Sequence, residues 1–327
     1  MMKYFKLILA MLFMTLFMNC SDAQDSTQGE TNKTTTSQSV PITHIMVCCR
    51  DANMGTTFLV NGKWNPAHDY SDINQVRDIL QKIKDAGINI VSIDFTNPSQ
   101  WNTGDVKGEP LLWSMFHPML LNIAQVCKEK NMQYFLFLGN SVAWSLKYWN
   151  GIAQKIWENW AQTSQYRKYG FGDNRPMIIM FLPGTEFWKQ YNAAPDSEKN
   201  YLAKFHIGTC EVNQAIQPVE SDGWGYRNFV ESSDGKVRFA CPNGGIGPDS
   251  WYRVDATEWQ RRVEWAGQAK QYTVFGSYDD TCDAIFWGIA DVSKAEKKVH
   301  VNSSTVSDPY AYYNIVKNYL TKRNAKK

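Results

Sequence analysis

Hydrophobic positions along this chain follow two periods that alternate. Apolar runs of strand length occupy residues 42–49, 88–95, 133–138, 177–182, 204–209, 237–240 and 272–277. Between the first two, Ile73, Val76, Ile79, Leu80, Ile83 and Ala86 form a helical stripe that Gly87 closes. Further helices are predicted over 115–130, 148–166, 256–269 and 309–322, and a last strand over 284–289 is expected to close a ring. Strands separated by helices of this length imply parallel βαβ units. Such repetition predicts an α/β fold, a (β/α)8 barrel of TIM type, rather than a doubly wound sheet, since no GxGxxG or Walker loop follows the first strand. Functional side chains of such a barrel gather where its strands end. Asp51, Asp94, Glu186, Glu211, Asp279 and Asp280 all fall at predicted C-terminal ends.

The N-terminal region has a different pattern. Residues 1–19 hold Lys3 and Lys6 and then an apolar run over 7–18, the layout of an export signal, too short and wrongly flanked for a spanning helix. The run leads into Cys20, and the segment resembles a bacterial lipoprotein signal, which implies that Cys20 is lipidated and that the chain is exported and anchored in the periplasm or at the outer-membrane surface. Residues 20–40 are rich in Thr, Ser, Gln and Asn and predict a flexible tether. Residues 41–327 then form one domain, expected to be a monomer.

Charge and cysteine usage narrow the chemistry. A formal net charge of +2 with scattered Lys and Arg gives no footprint for nucleic acid. Cys48, Cys49, Cys127, Cys210, Cys241 and Cys282 lie mostly in apolar contexts, which predicts buried thiols even in an oxidising compartment. The five histidines lack HExxH or HxH spacing and no CxxC occurs, so neither a metal nor a cofactor is expected.

The strongest chemical signal is residues 274–287, VFGSYDDTCDAIFW, where a predicted strand delivers Asp279, Asp280 and Asp283 and returns to apolar sequence. Crowded carboxylates repel one another and resist desolvation, so the cluster costs stability as pure structure. Glycoside hydrolysis wants this grouping, because one carboxyl must hold a proton while its partner acts as nucleophile or base. Aspartate is acidic, near pKa ~3.9, and a like-charged neighbour raises it. Aromatic residues make up 14% of the chain, and Trp64, Trp101, Trp113, Trp144, Trp188, Trp224 and Trp251 sit in predicted loops, whereas Trp157 and Trp160 read as core. Indoles beside carboxylates suit a carbohydrate cleft. The loop Asp222–Asn228, with Trp224, Tyr226 and Arg227, is a candidate sugar-contacting segment. Asp51 after the first strand serves either hydroxyl binding or an Asx turn.

Several of these segments together resemble a known group. The strand with its acids followed by Ala-Ile-Phe, the preceding WQRRVEWA over 259–266, the stretch Asp72–Asn97 with DAGINIVSID, and Tyr166-Arg167 before RPMII are similar to family 99-like and family 71-like glycoside hydrolase barrels. The resemblance implies a carboxylate pair at Asp280 and Asp283, with Asp279 matching an acid that precedes them. Where that group has two glutamates followed by Gly-Thr, this chain has two aspartates, one methylene shorter, followed by Ala284.

The expectation is a glycosidase with Asp280 and Asp283 as the pair, Asp279 tuning them, and Glu186, Asp94, Asp51, Trp101, Trp224, Tyr226 and Arg227 binding substrate. The alternative is a glycan-binding lipoprotein on a barrel that has lost catalysis. A third use of the three aspartates is a structural Ca²⁺ site.

Overall fold

The computed structural model describes residues 40–48, 56–60, 63–66, 70, 72–96, 109–139, 145–180, 184–209, 218–219, 229–232, 234–240, 254–276 and 310–326. In chain order they form β1 (Ile42–Cys48), β2 (Thr56–Val60), β3 (Lys63–Pro66), α1 (Ile73–Asp85), β4 (Ile90–Thr96), α2 (Glu109–Lys130), β5 (Gln133–Gly139) and α3 (Leu146–Ile156). There follow β6 (Lys168–Gly170), β7 (Asp173–Met180), α4 (Gly184–Ala193), β8 (His206–Thr209), β9 (Pro218–Val219), β10 (Phe229–Ser232), β11 (Val237–Ala240), α5 (Ala256–Ala266), β12 (Tyr272–Phe275) and α6 (Ala311–Asn324).

The predicted βαβ repetition is present. Strands β8, β7, β5, β4, β1, β12 and β11 lie side by side in that order, each parallel to the next. Beyond β11 the direction changes: β10 is antiparallel to it, and β9 pairs parallel with β10. Both edges of β1 are taken, one by β4 and the other by β12. The place expected for a closing strand over 284–289 is therefore filled by β12, and residues 284–289 themselves lie outside the described residues. Among the described residues the ring stays open between β8 and β9.

The sheet curls strongly. Tyr272 on β12 places its hydroxyl 3.6 Å from Met177 Sδ on β7, although β1, β4 and β5 stand between those strands in the sheet. His44 on β1 meets the ring of Phe135 edge-on at 5.2 Å, two strands away. Register assigns His44, Ser92, Phe135, Met177, His206 and Tyr272 to the concave face, since paired residues of adjacent strands share a face and alternate residues share it along a strand. The convex face carries Ile45, Val91, Ile93, Leu136, Ile178 and Phe275, all fully buried under the helices.

Each helix covers that face with the stripe its sequence dictates. On α1, Val76, Ile79, Leu80 and Ile83 are buried, and Asp72 caps the helix by accepting from Asn74 N at 2.9 Å. Ser145 and Asp255 cap α3 and α5 in the same way, at 3.1 and 2.8 Å. Trp259 and Val263 on α5 pack beside Tyr312 and Val316 on α6, all fully buried. Burial of each such side chain stabilises the fold by roughly 1.5–3 kcal/mol. Close approach requires Gly267 after α5, because a Cβ there would lie 1.7 Å from the Tyr319 hydroxyl on α6.

Three expectations need correction. The helix predicted over 148–166 ends at Ile156 and widens into a π turn, Trp157–Ala161, before Tyr166 bridges to Tyr134. Asn159 donates to the Lys155 carbonyl there at 2.8 Å, and Trp160 is buried while Trp157 packs edge-on against Phe205. The segment after β7 is helix α4, not a loop. Trp64 lies on strand β3 and Trp113 and Trp188 on helices α2 and α4, so these three aromatics are not loop residues.

Candidate functional site

Parallel strands give the curled sheet two unlike ends. At the N-terminal end the hairpin β6–β7 folds across the opening. Its turn, Gly170-Phe171-Gly172, is left-handed at all three positions, with φ of +82°, +45° and +87°. Glycine adopts that region freely, whereas Phe171 is held in it while its ring packs edge-on against Tyr272 at 5.3 Å. Tyr169 stacks on His206, centroids 3.5 Å apart and planes 11° off parallel, and its hydroxyl donates to Gln271 Oε1 at 2.7 Å. Tyr272 donates in turn to the Tyr169 carbonyl. Arg167 donates to Gln133 Oε1 at 3.2 Å, the Tyr169 carbonyl at 3.3 Å and the Tyr272 hydroxyl at 3.3 Å.

Ion pairs finish this plug. Asp173 takes a two-pronged contact from Arg175, at 2.7 Å to Nη2 and 3.0 Å to Nε, and lies 3.0 Å from His206 Nδ1. The Arg175 guanidinium holds the Asp173 carboxyl far below the usual carboxylate range, with the Arg175 and His206 hydrogen bonds adding to it against a desolvation cost. Above the plug His44 is 1% exposed, with Nδ1 3.4 Å from Ser92 Oγ. Burial, and then the charge of Arg167, lower its pKa to about 3, so the imidazole is neutral at ordinary pH. Arg167 and Arg175 lie in motifs that the sequence shows, but nothing local marks Tyr169, Asp173, His206 or Gln271 as parts of the plug. Their pairing joins positions far apart in the chain, and no local pattern announces it.

The C-terminal end differs. Residue 94 shares a register row with Cys48, Phe137, Ile179 and Gly208, near the last residues of β1, β4, β5, β7 and β8. Glu186 stands in the first turn of α4, which begins four residues beyond the end of β7. Trp188, in the next turn, is 37% exposed, with Phe187 and Tyr191 packed edge-on to it at 4.9 and 5.4 Å. β12 ends at Phe275, and the chain leaves through Gly276, whose φ of +117° favours glycine and whose N–H reaches the Ala240 carbonyl at 3.2 Å. Of the predicted site residues, only the backbones of Asp94 and Glu186 are described. Asp51, Trp101, Trp224, Tyr226, Arg227, Asp279, Asp280 and Asp283 lie outside the described residues, as does Cys20.

Among the described residues no three His, Cys, Asp or Glu side chains gather as metal ligands, and no helix is long and apolar enough to cross a membrane. Cys127 is a buried free thiol, pushed up to about 12 by desolvation and thus inert at ordinary pH.

No protein-family model and no curated protein matches the chain. Among solved structures its backbone is similar to the GH99 endo-α-mannosidase from Bacteroides thetaiotaomicron in complex with bis-tris-propane, at 8% identity and a TM-score of 0.46 over 86% of this chain and 98% of that one. It is similar to an α-L-fucosidase from Lactobacillus casei at 12% identity and a TM-score of 0.41, over 86% of this chain and 96% of that one. A third similar structure is α-L-fucosidase isoenzyme 1 from Paenibacillus thiaminolyticus, at 8% identity and a TM-score of 0.41 over 87% of this chain and 73% of that one. All three are glycosidases.

Proposed function

We propose that this chain is a glycoside hydrolase that works at the C-terminal end of the sheet, with Asp280 and Asp283 as the carboxylate pair. One observation carries the proposal: β12 runs parallel to β1 and ends on the same side as β4, so the acid cluster follows the strand end opposite the plug. Chain reach limits where the acids lie. At ~3.3–3.6 Å per residue, Asp279 is within about 14 Å of the end of β12 and Asp280 within about 18 Å.

In this reading one aspartate holds a proton for the leaving oxygen and the other is ionised across the scissile bond, with Asp279 raising the pKa of the protonated partner. Asp94, Glu186 and Asp51 orient sugar hydroxyls, and Trp101, Trp224, Tyr226 and Arg227 hold the rings. The protein is exported and anchored through Cys20, and its substrate is a polysaccharide or glycan.

The test is an activity screen of the full chain on plant, yeast and host glycans, followed by Asp280→Asn and Asp283→Asn. Release of sugar that both variants abolish supports the proposal. Hydrolysis that both variants retain removes the pair, and saturable glycan binding with no product moves the chain to a non-catalytic binding role.

A further inference from the structure

A pocket lies on the convex side of the sheet, beside the N-terminal end of β5. Helix α2 presents Leu121, Ala124, Gln125 and Lys128 to it, spaced i, i+3, i+4 and i+7 and therefore on one stripe. The π turn and the residues after it supply the facing wall with Asn159, Trp160, Thr163 and Gln165. Tyr134, on the convex face of β5, lines it as well. Its volume of about 380 Å³ falls within the usual range for small-ligand pockets, and π turns occur often at functional sites.

The lining sets the chemistry of an occupant. Gln125 gives its Nε2 to Glu129 at 3.0 Å and Asn159 gives its Nδ2 to the Lys155 carbonyl at 2.8 Å, which leaves two side-chain carbonyl oxygens to accept from a guest. Gln165 makes no side-chain hydrogen bond and Lys128 no ion pair among the described residues. Among the described residues that line it there is one cation, Lys128, and no carboxylate, so their formal charge is positive. Leu121 stays 46% exposed, apolar surface that a C–H face would cover. Acceptors, an amide without a partner among the described residues, one cation and an apolar patch match a ring that carries hydroxyls and one carboxylate.

We infer that this pocket between α2 and the π turn binds an anionic saccharide unit, a hexuronic acid or the uronate of a glycan, with Lys128 on its carboxylate and the amides of Gln125, Asn159 and Gln165 on its hydroxyls. The inference does not depend on Asp280 or Asp283.

Calorimetric or NMR titration of the full chain with glucuronate, glucose and acetate tests it. Glucuronate should bind saturably, glucose and acetate each at least about tenfold more weakly, a difference of ~1.4 kcal/mol. Lys128→Met should weaken glucuronate about tenfold, and Gln165→Ala severalfold, at unchanged melting temperature, since both side chains are at least partly exposed. Asp280→Asn should bind glucuronate as the parent chain does. Absence of saturable glucuronate binding, acetate binding of equal strength, an unaffected Lys128→Met, or loss of binding in Asp280→Asn would each overturn it.

Discussion

At the N-terminal end of the sheet, Tyr169, His206, Gln271 and Tyr272 engage one another by stacking and hydrogen bonds, and Asp173 there has both Arg175 and His206 beside it. At the other end the chain leaves β12 through a glycine and enters three aspartates within five residues, with no lysine or arginine between Lys270 and Lys294. Both segments carry acids, but the neighbours that the sequence gives them differ. An acid whose partners are supplied by the fold is a stability element, whereas the proposed function gives the acid cluster a positive charge that comes from the substrate. It develops on the glycosyl unit in the transition state. The comparison thus predicts that substitutions at the two ends affect different observables.

The largest effect should be on rate. Asp280→Asn or Asp283→Asn should slow hydrolysis on the order of a thousandfold, within the range for removal of a general acid or base, and leave the melting temperature unchanged or raised, since one repelling charge is removed. A paired drop in melting temperature and activity would make the cluster structural and erase the contrast. Next comes Tyr272→Ala at the plug. Tyr272 is fully buried, touches Phe171 and Tyr169 and bonds to Arg167, so its removal should cost about 3–5 kcal/mol in denaturant unfolding. A loss below about 1 kcal/mol would show that the hairpin does not brace the sheet.

The same contrast explains what was legible in the sequence. α1 announced itself through its stripe and the Gly87 that closes it, and β5 through its apolar run, because local periodicity marks those elements. β6 is three residues of Lys-Tyr-Gly and has no such signal. It exists through antiparallel pairing with β7, set by a left-handed turn, and its purpose shows only once the sheet has curled. α4 was missed because Pro183-Gly184 suggests a break, although such a pair also suits the point where a helix starts, and Gly184 opens α4. The change of direction at β10 depends on pairing with β11, which is again tertiary. The acid cluster was legible because crowded like charges are a property of neighbours in sequence. The partners of Asp173 are not its sequence neighbours alone, since His206 comes from 33 residues on.

The core above the plug responds to pH through His44. His44 has its pKa lowered to about 3 in the fold, against about 6.5 in the unfolded chain. Between these values the unfolded state binds the extra proton, so stability is highest above pH ~6.5 and falls as pH drops towards 3. The full loss is of the order of a few kcal/mol, and His44→Gln should flatten the slope over that window in denaturant titrations. A slope unchanged by the substitution would mean that His44 protonates without cost in the fold.

The smallest effect is expected where the geometry looks strongest. Asp173 has its pKa depressed in the fold, so its contribution is fully present above the unfolded value near 3.8 and is lost as pH falls below it. Yet the Asp173 side chain is 25% exposed and that of Arg175 51% exposed, and solvent screens such a pair. Asp173→Asn should therefore cost less than about 1 kcal/mol at neutral pH, with the difference from the parent chain shrinking further below pH ~3.8. The double variant Asp173→Asn with His206→Gln separates the two partners. If the stack of Tyr169 on His206 is what positions the hairpin, the double variant should lose more than Asp173→Asn alone, because Asp173 then serves mainly to orient the imidazole. Equal losses would assign the plug to Arg175 and Asp173, and the N-terminal end would be held by surface charge instead of by its aromatic stack.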